Sequence, residues 1–148
     1  MTYNTVGDLV STTYPNGITI NDVYDANGIL TQTSMTNAGT TQVLFTANAM
    51  NSRGVYTSYT YGNGKTSTID YDMVKGVPTR YYTQGIQDLN LNFDNNTGNL
   101  LSRQDAIKNV TETFTYDNLN RLTGASVNNV QQFMMAYDNN AGNSLGNI

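Results

Sequence analysis

The sequence predicts an all-β chain made of repeated antiparallel hairpins. Three observations support this: an aromatic residue followed by aspartate recurs along the chain, apolar and polar residues alternate before each recurrence, and asparagine and glycine follow it. Threonine and tyrosine are abundant and favour strands, whereas asparagine and glycine favour tight turns. We therefore expect the hairpins to stack against one another in a continuous sheet.

The aromatic-aspartate pair recurs with a period near 22 residues. The pairs are Tyr24-Asp25, Phe45-Thr46 (which lacks the aspartate), Tyr71-Asp72, Phe93-Asp94, Tyr116-Asp117 and Tyr137-Asp138, at intervals of 21, 26, 22, 23 and 21 residues. A second doublet, Tyr14-Pro15-Asn16-Gly17 and Tyr61-Gly62-Asn63-Gly64, precedes a Tyr-Asp pair by ten residues each time. A fixed period indicates a repeat architecture. We predict one region over residues 1–148, with about six degenerate repeats, as a fragment of a longer array.

Each period is predicted to form a strand, a tight turn, a return strand and a looser connection. Leu89, Leu91 and Phe93 alternate with polar residues, which is the period of a strand. The turn residues that follow tolerate positive φ, as hairpin turns require. Residues 105–110 leave room for at most one turn of helix.

The composition excludes several classes of function. The net charge is −4 with a pI near 4.4, and the seven Lys and Arg are scattered, which argues against a nucleic-acid partner. The chain contains neither cysteine nor histidine, so disulfides, imidazole catalysis and the usual zinc sites are ruled out. We expect no cofactor, no bound metal and no enzymatic activity. The N-terminus lacks signal-peptide features, and no apolar stretch is long enough for membrane insertion.

Four segments resemble the YD-repeat family, also called RHS repeats: VYDANGILTQ (Val23 to Gln32), LNFDNNTGNLLSRQD (Leu89 to Asp105), FTYDNLNRLTGASV (Phe114 to Val127) and MAYDNNAGN (Met135 to Asn143). The family phrase is roughly Tyr-Asp, two or three variable residues, Gly, a small polar or basic residue, then Leu-Thr. Asn120 stands where glycine is usual. The Asp-Pro-x-Gly phrases that usually end the bacterial repeat region are not found in this sequence.

The resemblance implies that the hairpins stack in a curved or spiral sheet, as a section of a YD-repeat β-shell in a secreted or cell-surface protein. In bacterial members, such shells are associated with enclosing a C-terminal toxin or effector. The expected function is thus a structural repeat module of such a shell. Its expected partners are the neighbouring repeats of the parent chain and, through unpaired sheet edges, other copies of itself.

Most of the candidate residues belong to the repeat signature. These are Tyr24, Asp25, Gly28, Tyr71, Asp72, Phe93, Asp94, Gly98, Tyr116, Asp117, Tyr137 and Asp138. The aspartates could be calcium ligands, but the spacing after Asp94 does not fit an EF-hand loop and no dense run of carboxylates supplies the charge. We therefore expect each aspartate to accept hydrogen bonds from backbone N–H groups about two residues on and so to close its turn.

The tyrosines offer a different function. Tyr56, Tyr59, Tyr61, Tyr81 and Tyr82 form the densest set, and aromatic faces bind sugar rings. Cross-strand pairing explains tyrosines in the repeat register, but Tyr81 and Tyr82 lie outside it and are candidate glycan-stacking residues. The alternative function is therefore a carbohydrate-binding or adhesion surface of a cell-wall-associated protein. An enzyme that works through aspartates is a third interpretation.

Overall fold

The computed structural model describes residues 1–137, which contain thirteen strands and no helix. The pairings found between strands are antiparallel, so the all-β prediction is confirmed. Internal contacts divide the chain into two compact units, Met1–Asp70 and Tyr71–Ile148. Residues 1–137 include no helix that is long and apolar enough to cross a membrane.

In the first unit, each strand pairs with the strand that follows it in the sequence. The strands are β1 (Thr2–Tyr3), β2 (Leu9–Thr13), β3 (Thr19–Tyr24), β4 (Leu30–Asn37), β5 (Thr40–Met50), β6 (Tyr56–Tyr61) and β7 (Thr66–Tyr71), whose last residue opens the second unit. Each pairing is a hairpin between sequence neighbours. Local pairing of this kind needs little loop-closure entropy.

The second unit has the same order of pairing. Its strands are β8 (Pro78–Thr83), β9 (Gln87–Phe93), β10 (Leu100–Asp105), β11 (Val110–Tyr116), β12 (Leu122–Val127) and β13 (Val130–Met134). Across β8 to β11, the row of directly opposed residues on one face is Arg80, Asn90, Gln104 and Thr111. The neighbouring row on the other face is Tyr81, Leu89, Asp105 and Val110. One face is thus more polar than the other.

Among residues 1–137, no apolar side chain is fully buried. The buried polar residues are Ser67 and Thr83, with exposed fractions of 5% and 6%. A sheet buries its apolar residues only when a second surface covers them. The apolar side chains of residues 1–137 are instead exposed or half-buried.

In the hairpins that turn at Asp25, Asp94 and Asp117, an extra residue interrupts the pairing just after the return strand begins. Tyr24 lies opposite Leu30 and Val23 lies opposite Gln32, so Thr31 has no opposite residue. The same arrangement follows the pairs Tyr3 with Leu9, Phe93 with Leu100, and Tyr116 with Leu122. A bulge bends its strand and increases the local twist. These hairpins therefore carry the same local bend at equivalent positions.

The structure corrects the repeat alignment at one position. Phe45 and Thr46 lie in the middle of β5, and the turn comes later, at Asn51. Phe45 instead packs edge-on against Tyr56, with the ring centroids 5.5 Å apart. The long interval in the repeat therefore falls between Asp25 and Asn51, because β5 has 11 residues.

The predicted looser connection is also wrong at two hairpins. Only Ala38 and Gly39 connect β4 to β5, and only Asn128 and Asn129 connect β12 to β13. All four residues have positive φ. Two-residue turns with positive φ at both positions match the twist of antiparallel strands, so the return connection can be as tight as the Tyr-Asp turn.

Candidate functional site

Six turns of the chain share one backbone geometry. In the turn that begins at Asp25, the N–H of Asp25 donates to the carbonyl of Ile29 and the N–H of Gly28 donates to the carbonyl of Asp25. The other five turns begin at Asn4, Tyr14, Asn51, Tyr61 and Asp117. The fourth residue of each turn has positive φ and is glycine in five cases and Asn120 in the sixth. Asn120 thus adopts the backbone conformation of the glycine it replaces, with φ 60°.

A side-chain oxygen completes each of these turns. Asp25 Oδ1 accepts hydrogen bonds from the N–H groups of Asn27 at 2.8 Å and Ile29 at 2.9 Å. Asn4, Asn51 and Asp117 accept the same two bonds in their own turns. These are the bonds expected from the sequence. Aspartate and asparagine are interchangeable here because the turn uses one carbonyl-type oxygen.

The turns at Asp72 and Asp94 are one residue longer and use their aspartates in the same way. Asp94 Oδ1 accepts bonds from the N–H groups of Asn96 and Thr97, at 2.9 and 2.7 Å, and from the Thr97 hydroxyl at 2.9 Å. The side-chain hydrogen bonds of Asp94 are thus made within its own turn. Residues 1–137 contain no group of three acidic side chains placed to hold a metal ion.

These hydrogen bonds stabilise the ionised aspartates. The backbone N–H groups of Ile29 and Asn27 hold the pKa of Asp25 below its ordinary value. The N–H groups of Lys75 and Val74 lower the pKa of Asp72, and those of Thr97 and Asn96 lower the pKa of Asp94. Turn closure therefore stabilises the ionised form of these aspartates and lowers the pH at which they take up a proton.

The tyrosine of the repeat has a structural role of its own, a hydrogen bond from its hydroxyl to the preceding strand, which was not predicted from the sequence. The hydroxyl of Tyr116, at the end of β11, donates to the carbonyl of Leu100, the first residue of β10, at 3.0 Å. Tyr24 donates to Leu9 and Tyr137 donates to Leu122 in the same way, at 3.2 and 2.8 Å. The Tyr24 and Tyr116 bonds link the end of one strand to the start of the strand before it, and Tyr137, which follows β13, reaches the start of β12. The leucine that recurs after each turn marks where this carbonyl lies.

The basic residue of the repeat phrase makes a further link in the second unit. Arg121 Nε lies 2.7 Å from Asp117 Oδ2, and the Arg121 guanidinium lies 4.1 Å from the centroid of the Tyr137 ring. One arginine thus joins the aspartate of its own turn to a tyrosine near the end of the next hairpin. Contacts of this kind depend on the fold and could not be read from spacing alone.

The remaining signature residues lie where the sequence placed them. Gly28 and Gly98 have φ 76° and 77°. Tyr71 ends β7 directly before the turn at Asp72, and Phe93 ends β9 before Asp94. Asp138 lies outside the described residues. Asp94, Tyr116 and Asp117 line one open groove, but Asp94 and Asp117 each accept their backbone hydrogen bonds within their own turns.

Tyr81 and Tyr82 do not share a face of the sheet. They are consecutive in β8, so their side chains point to opposite faces, opposite Leu89 and Asp88 respectively. The Tyr82 ring lies 4.6 Å from the Arg80 guanidinium. A sugar ring could therefore stack on only one of the two tyrosines, and their glycan-stacking role stays a prediction.

The other tyrosines of the dense set form an aromatic cluster in the first unit. Phe45, Tyr56 and Tyr59 have ring centroids between 5.5 and 6.5 Å apart, and Tyr61 lies 5.3 Å from Tyr59. Tilted and edge-on pairs at these distances are stabilising. Cross-strand packing between β5 and β6 therefore accounts for this part of the set.

Open grooves separate successive turns in each unit. One groove, of about 460 Å³, lies between the turns at Asp25 and Asn51, and the other, of about 530 Å³, lies between the turns at Asp94 and Asp117. Ile29 and Met50 provide apolar lining in the first groove, and Leu101 and Phe114 do so in the second. The grooves occupy equivalent places, so they follow from the spacing of the hairpins.

Comparisons with known proteins give matches in structure alone. No protein-family model and no curated protein matches the sequence. The crystal structure of TcdB2-TccC3-Cdc42 is similar over 84% of this chain and 7% of that chain, at 24% identity and a TM-score of 0.76. A mutant Photorhabdus luminescens Tc holotoxin pore matches 84% of this chain and 6% of its own, at 23% identity and a TM-score of 0.75.

A third similar structure is TcdB2-TccC3 without its hypervariable C-terminal region, at 23% identity and a TM-score of 0.74 over 84% of this chain. These neighbours are Tc toxin chains that carry RHS/YD repeats. This chain spans only 6 to 7% of their length. The likeness shows that the chain has the fold of a section of an RHS-repeat β-shell.

The tyrosine bond gives the first testable prediction. Tyr116→Phe removes the donor to Leu100 and keeps the ring, so we expect the free energy of unfolding to fall by about 1 kcal/mol. Chemical denaturation measures this loss. Tyr14→Phe is the matched control, because Tyr14 is 50% exposed and the side-chain oxygen that completes its turn belongs to Asn16. An equal effect of the two substitutions would contradict the role of the hydroxyl.

Because of the turn aspartates, we expect the folded chain to lose stability in acid. Their pKa values are lower in the folded chain than in the unfolded chain, so their contribution is complete above the unfolded-state pKa and is lost as the pH falls through the folded-state pKa. Denaturant unfolding measured from neutral to acidic pH should show this decline. Asp25→Asn keeps the acceptor oxygen, as Asn4 and Asn51 do naturally, and should give a flatter pH profile with the turn intact. An unchanged slope in this variant would argue against the assignment.

Proposed function

We propose that this chain is a structural repeat module of a secreted or cell-surface RHS/YD-repeat protein. In this proposal it forms part of a β-sheet shell that encloses or presents a C-terminal effector or toxin. The observation that carries the proposal is the repeated unit itself: a turn closed by a side-chain oxygen, a bulge after the leucine, and a tyrosine that bonds to the preceding strand. A unit that repeats in this way builds an extended wall.

The absence of a buried apolar core among residues 1–137 supports a wall. A sheet with half-buried apolar side chains is stabilised when further repeats extend it or when other surfaces cover it. Bulges at equivalent positions favour a sheet that bends in one direction, as a closed shell requires. The likeness to Tc toxin chains agrees with this function, and one of those chains is described with a hypervariable C-terminal region.

The proposal assigns no catalytic role to the chain. Each turn aspartate makes hydrogen bonds within its own turn, so the acids are dispersed among the hairpins. A general acid or base must lie within hydrogen-bond reach of the proton that it transfers, and the Oδ1 atoms of these aspartates are already engaged by their own turns. The third interpretation is an enzyme that works through aspartates. It would require that a substitution at one aspartate abolishes an activity, while substitutions at the equivalent aspartates of other repeats leave that activity intact.

Electron microscopy of the full-length protein that contains this chain tests the proposal. We expect a hollow particle whose wall includes these hairpins. An antibody fragment raised against the exposed Met73-Val74 turn, whose side chains are 84% and 87% exposed, would locate the chain within the particle. A solid domain, or an open fibre that encloses nothing, would contradict the shell function.

The sheet edge gives a prediction for the isolated chain. Strand β13 pairs with β12 on one side, and Val130, Phe133 and Met134 on it are exposed. Unprotected strand edges promote pairing between chains. We expect sedimentation velocity to show self-association that increases with concentration.

Charge placed on β13 should weaken this association. Val130→Lys combined with Met134→Lys adds two positive charges to the strand, and lysine blocks edge-to-edge pairing. Val6→Lys is the matched control, because Val6 is equally exposed but lies in the turn at Asn4. A clean monomer at all concentrations, or equal effects of both changes, would exclude association through β13.

A further inference from the structure

Three Asn-Gly dipeptides lie at the same position of the shared turn. Asn16, Asn27 and Asn63 are each the third residue of a turn and are each exposed. The first two occur in the identical tripeptide Asn-Gly-Ile. Sequence alone therefore gives Asn16 and Asn27 the same local chemistry, and any difference between them in the folded protein must come from the structure.

An asparagine that precedes glycine can lose its side-chain amide without an enzyme. The backbone nitrogen of the glycine attacks Cγ of the asparagine, and negative charge develops on Oδ1 in the tetrahedral intermediate. The bond from Cγ to Nδ2 then breaks, the Nδ2 group leaves as ammonia with the proton lost from the glycine nitrogen, and a cyclic imide remains. Water opens the imide at either carbonyl and gives aspartate or isoaspartate, so the only other reactant is water.

The side-chain oxygens of the three asparagines differ in their hydrogen bonding. Asn16 Oδ1 accepts a hydrogen bond from the N–H of Ile18 at 3.2 Å, and Asn63 Oδ1 accepts one from the N–H of Lys65 at 3.0 Å. In the turn of Asn27, the corresponding N–H belongs to Ile29 and donates to Asp25 Oδ1 at 2.9 Å.

The attacking nitrogens, in contrast, are equivalent. The N–H of Gly17 donates to the carbonyl of Tyr14 at 2.9 Å, and the N–H of Gly64 donates to the carbonyl of Tyr61 at 2.9 Å. The N–H of Gly28 makes the same bond to Asp25, at 3.1 Å. The cost of freeing the nucleophile is therefore similar at all three sites and cancels in the comparison.

We propose that Asn16 and Asn63 are sites of spontaneous deamidation in the folded protein, and that Asp25 protects Asn27. An N–H that already points at Oδ1 stabilises the charge that develops there during the attack. At Asn27 that donor is engaged by Asp25, and the nearby carboxylate opposes the development of further negative charge. The first residue of the turn thus decides whether the third is modified.

The two products have different consequences for the fold. An aspartate at position 16 or 63 keeps the acceptor oxygen and adds a negative charge to a chain whose net charge is already −4. An isoaspartate lengthens the backbone by one atom, which breaks the four-residue spacing of the turn. Deamidation would therefore disrupt, over time, the two turns of the first unit that begin with tyrosine.

The test compares the three sites within one molecule. The folded protein is incubated at mildly alkaline pH, with and without a denaturant, and peptide mapping by mass spectrometry follows each asparagine over time. In the folded protein we expect Asn16 to react about fivefold faster than Asn27, the rate equivalent of one ordinary hydrogen bond. In denaturant, the two identical tripeptides should react at the same rate. Equal rates at Asn16 and Asn27 in the folded protein, or faster reaction at Asn27, would overturn the proposal.

A single substitution tests the cause. Tyr14→Asp gives the first turn the same starting residue as the turn at Asp25, so the Ile18 N–H should bond to the new carboxylate. We expect the Asn16 rate to fall to that of Asn27, while Asn63 keeps its rate and serves as the internal control. An Asn16 rate equal to that of the unchanged protein, in a variant whose circular dichroism shows it to be folded, would show that the turn residue does not control the reaction.

Discussion

The structure depends on one hydrogen-bonding requirement. In each of the four-residue turns, the N–H of the residue that directly follows the turn is not used by the strand ladder. A side-chain oxygen accepts its hydrogen bond instead. In most of the turns this oxygen comes from the first residue, which is aspartate or asparagine. In the two turns that begin with tyrosine, it comes from the asparagine at the third position. Aspartate therefore recurs because the same backbone group needs an acceptor in each hairpin.

This turn also determines the positions of the other features of the repeat. A closed turn sets the aromatic residue before it opposite the leucine after it, and the bulge follows directly. The tyrosine hydroxyl then reaches the carbonyl that begins the preceding strand. A strand ladder alone allows slippage in a sheet that has polar residues on both faces. The tyrosine bond and the bulge both help to fix the register, which matters because residues 1–137 have no buried apolar core.

Much of this could be predicted from the sequence, because the period and the turn residues are local signals. The strands before Phe93 and Tyr116, the turns at Asp25 and Asp94, and the all-β class all follow from alternation and turn chemistry. Other features could not be predicted, because they depend on contacts between hairpins. Spacing did not show that Asn51 takes the place of an aspartate, that Phe45 packs on Tyr56, or that Arg121 reaches Tyr137. The opposite orientations of Tyr81 and Tyr82 follow from the strand period, but only once β8 is known to include both residues.

Amide hydrogen exchange measured by NMR tests the central claim most directly. The N–H groups of Ile29 and Arg121 lie in turns at the ends of their strands and would exchange rapidly if they made no hydrogen bond. Both donate to the aspartate of their own turn. The account predicts that these amides are protected from exchange, and that Asp117→Ala removes the protection of Arg121 while Ile29 keeps its own. Unprotected exchange at both amides in the unchanged protein would show that the aspartates do not close the turns, and would contradict the account.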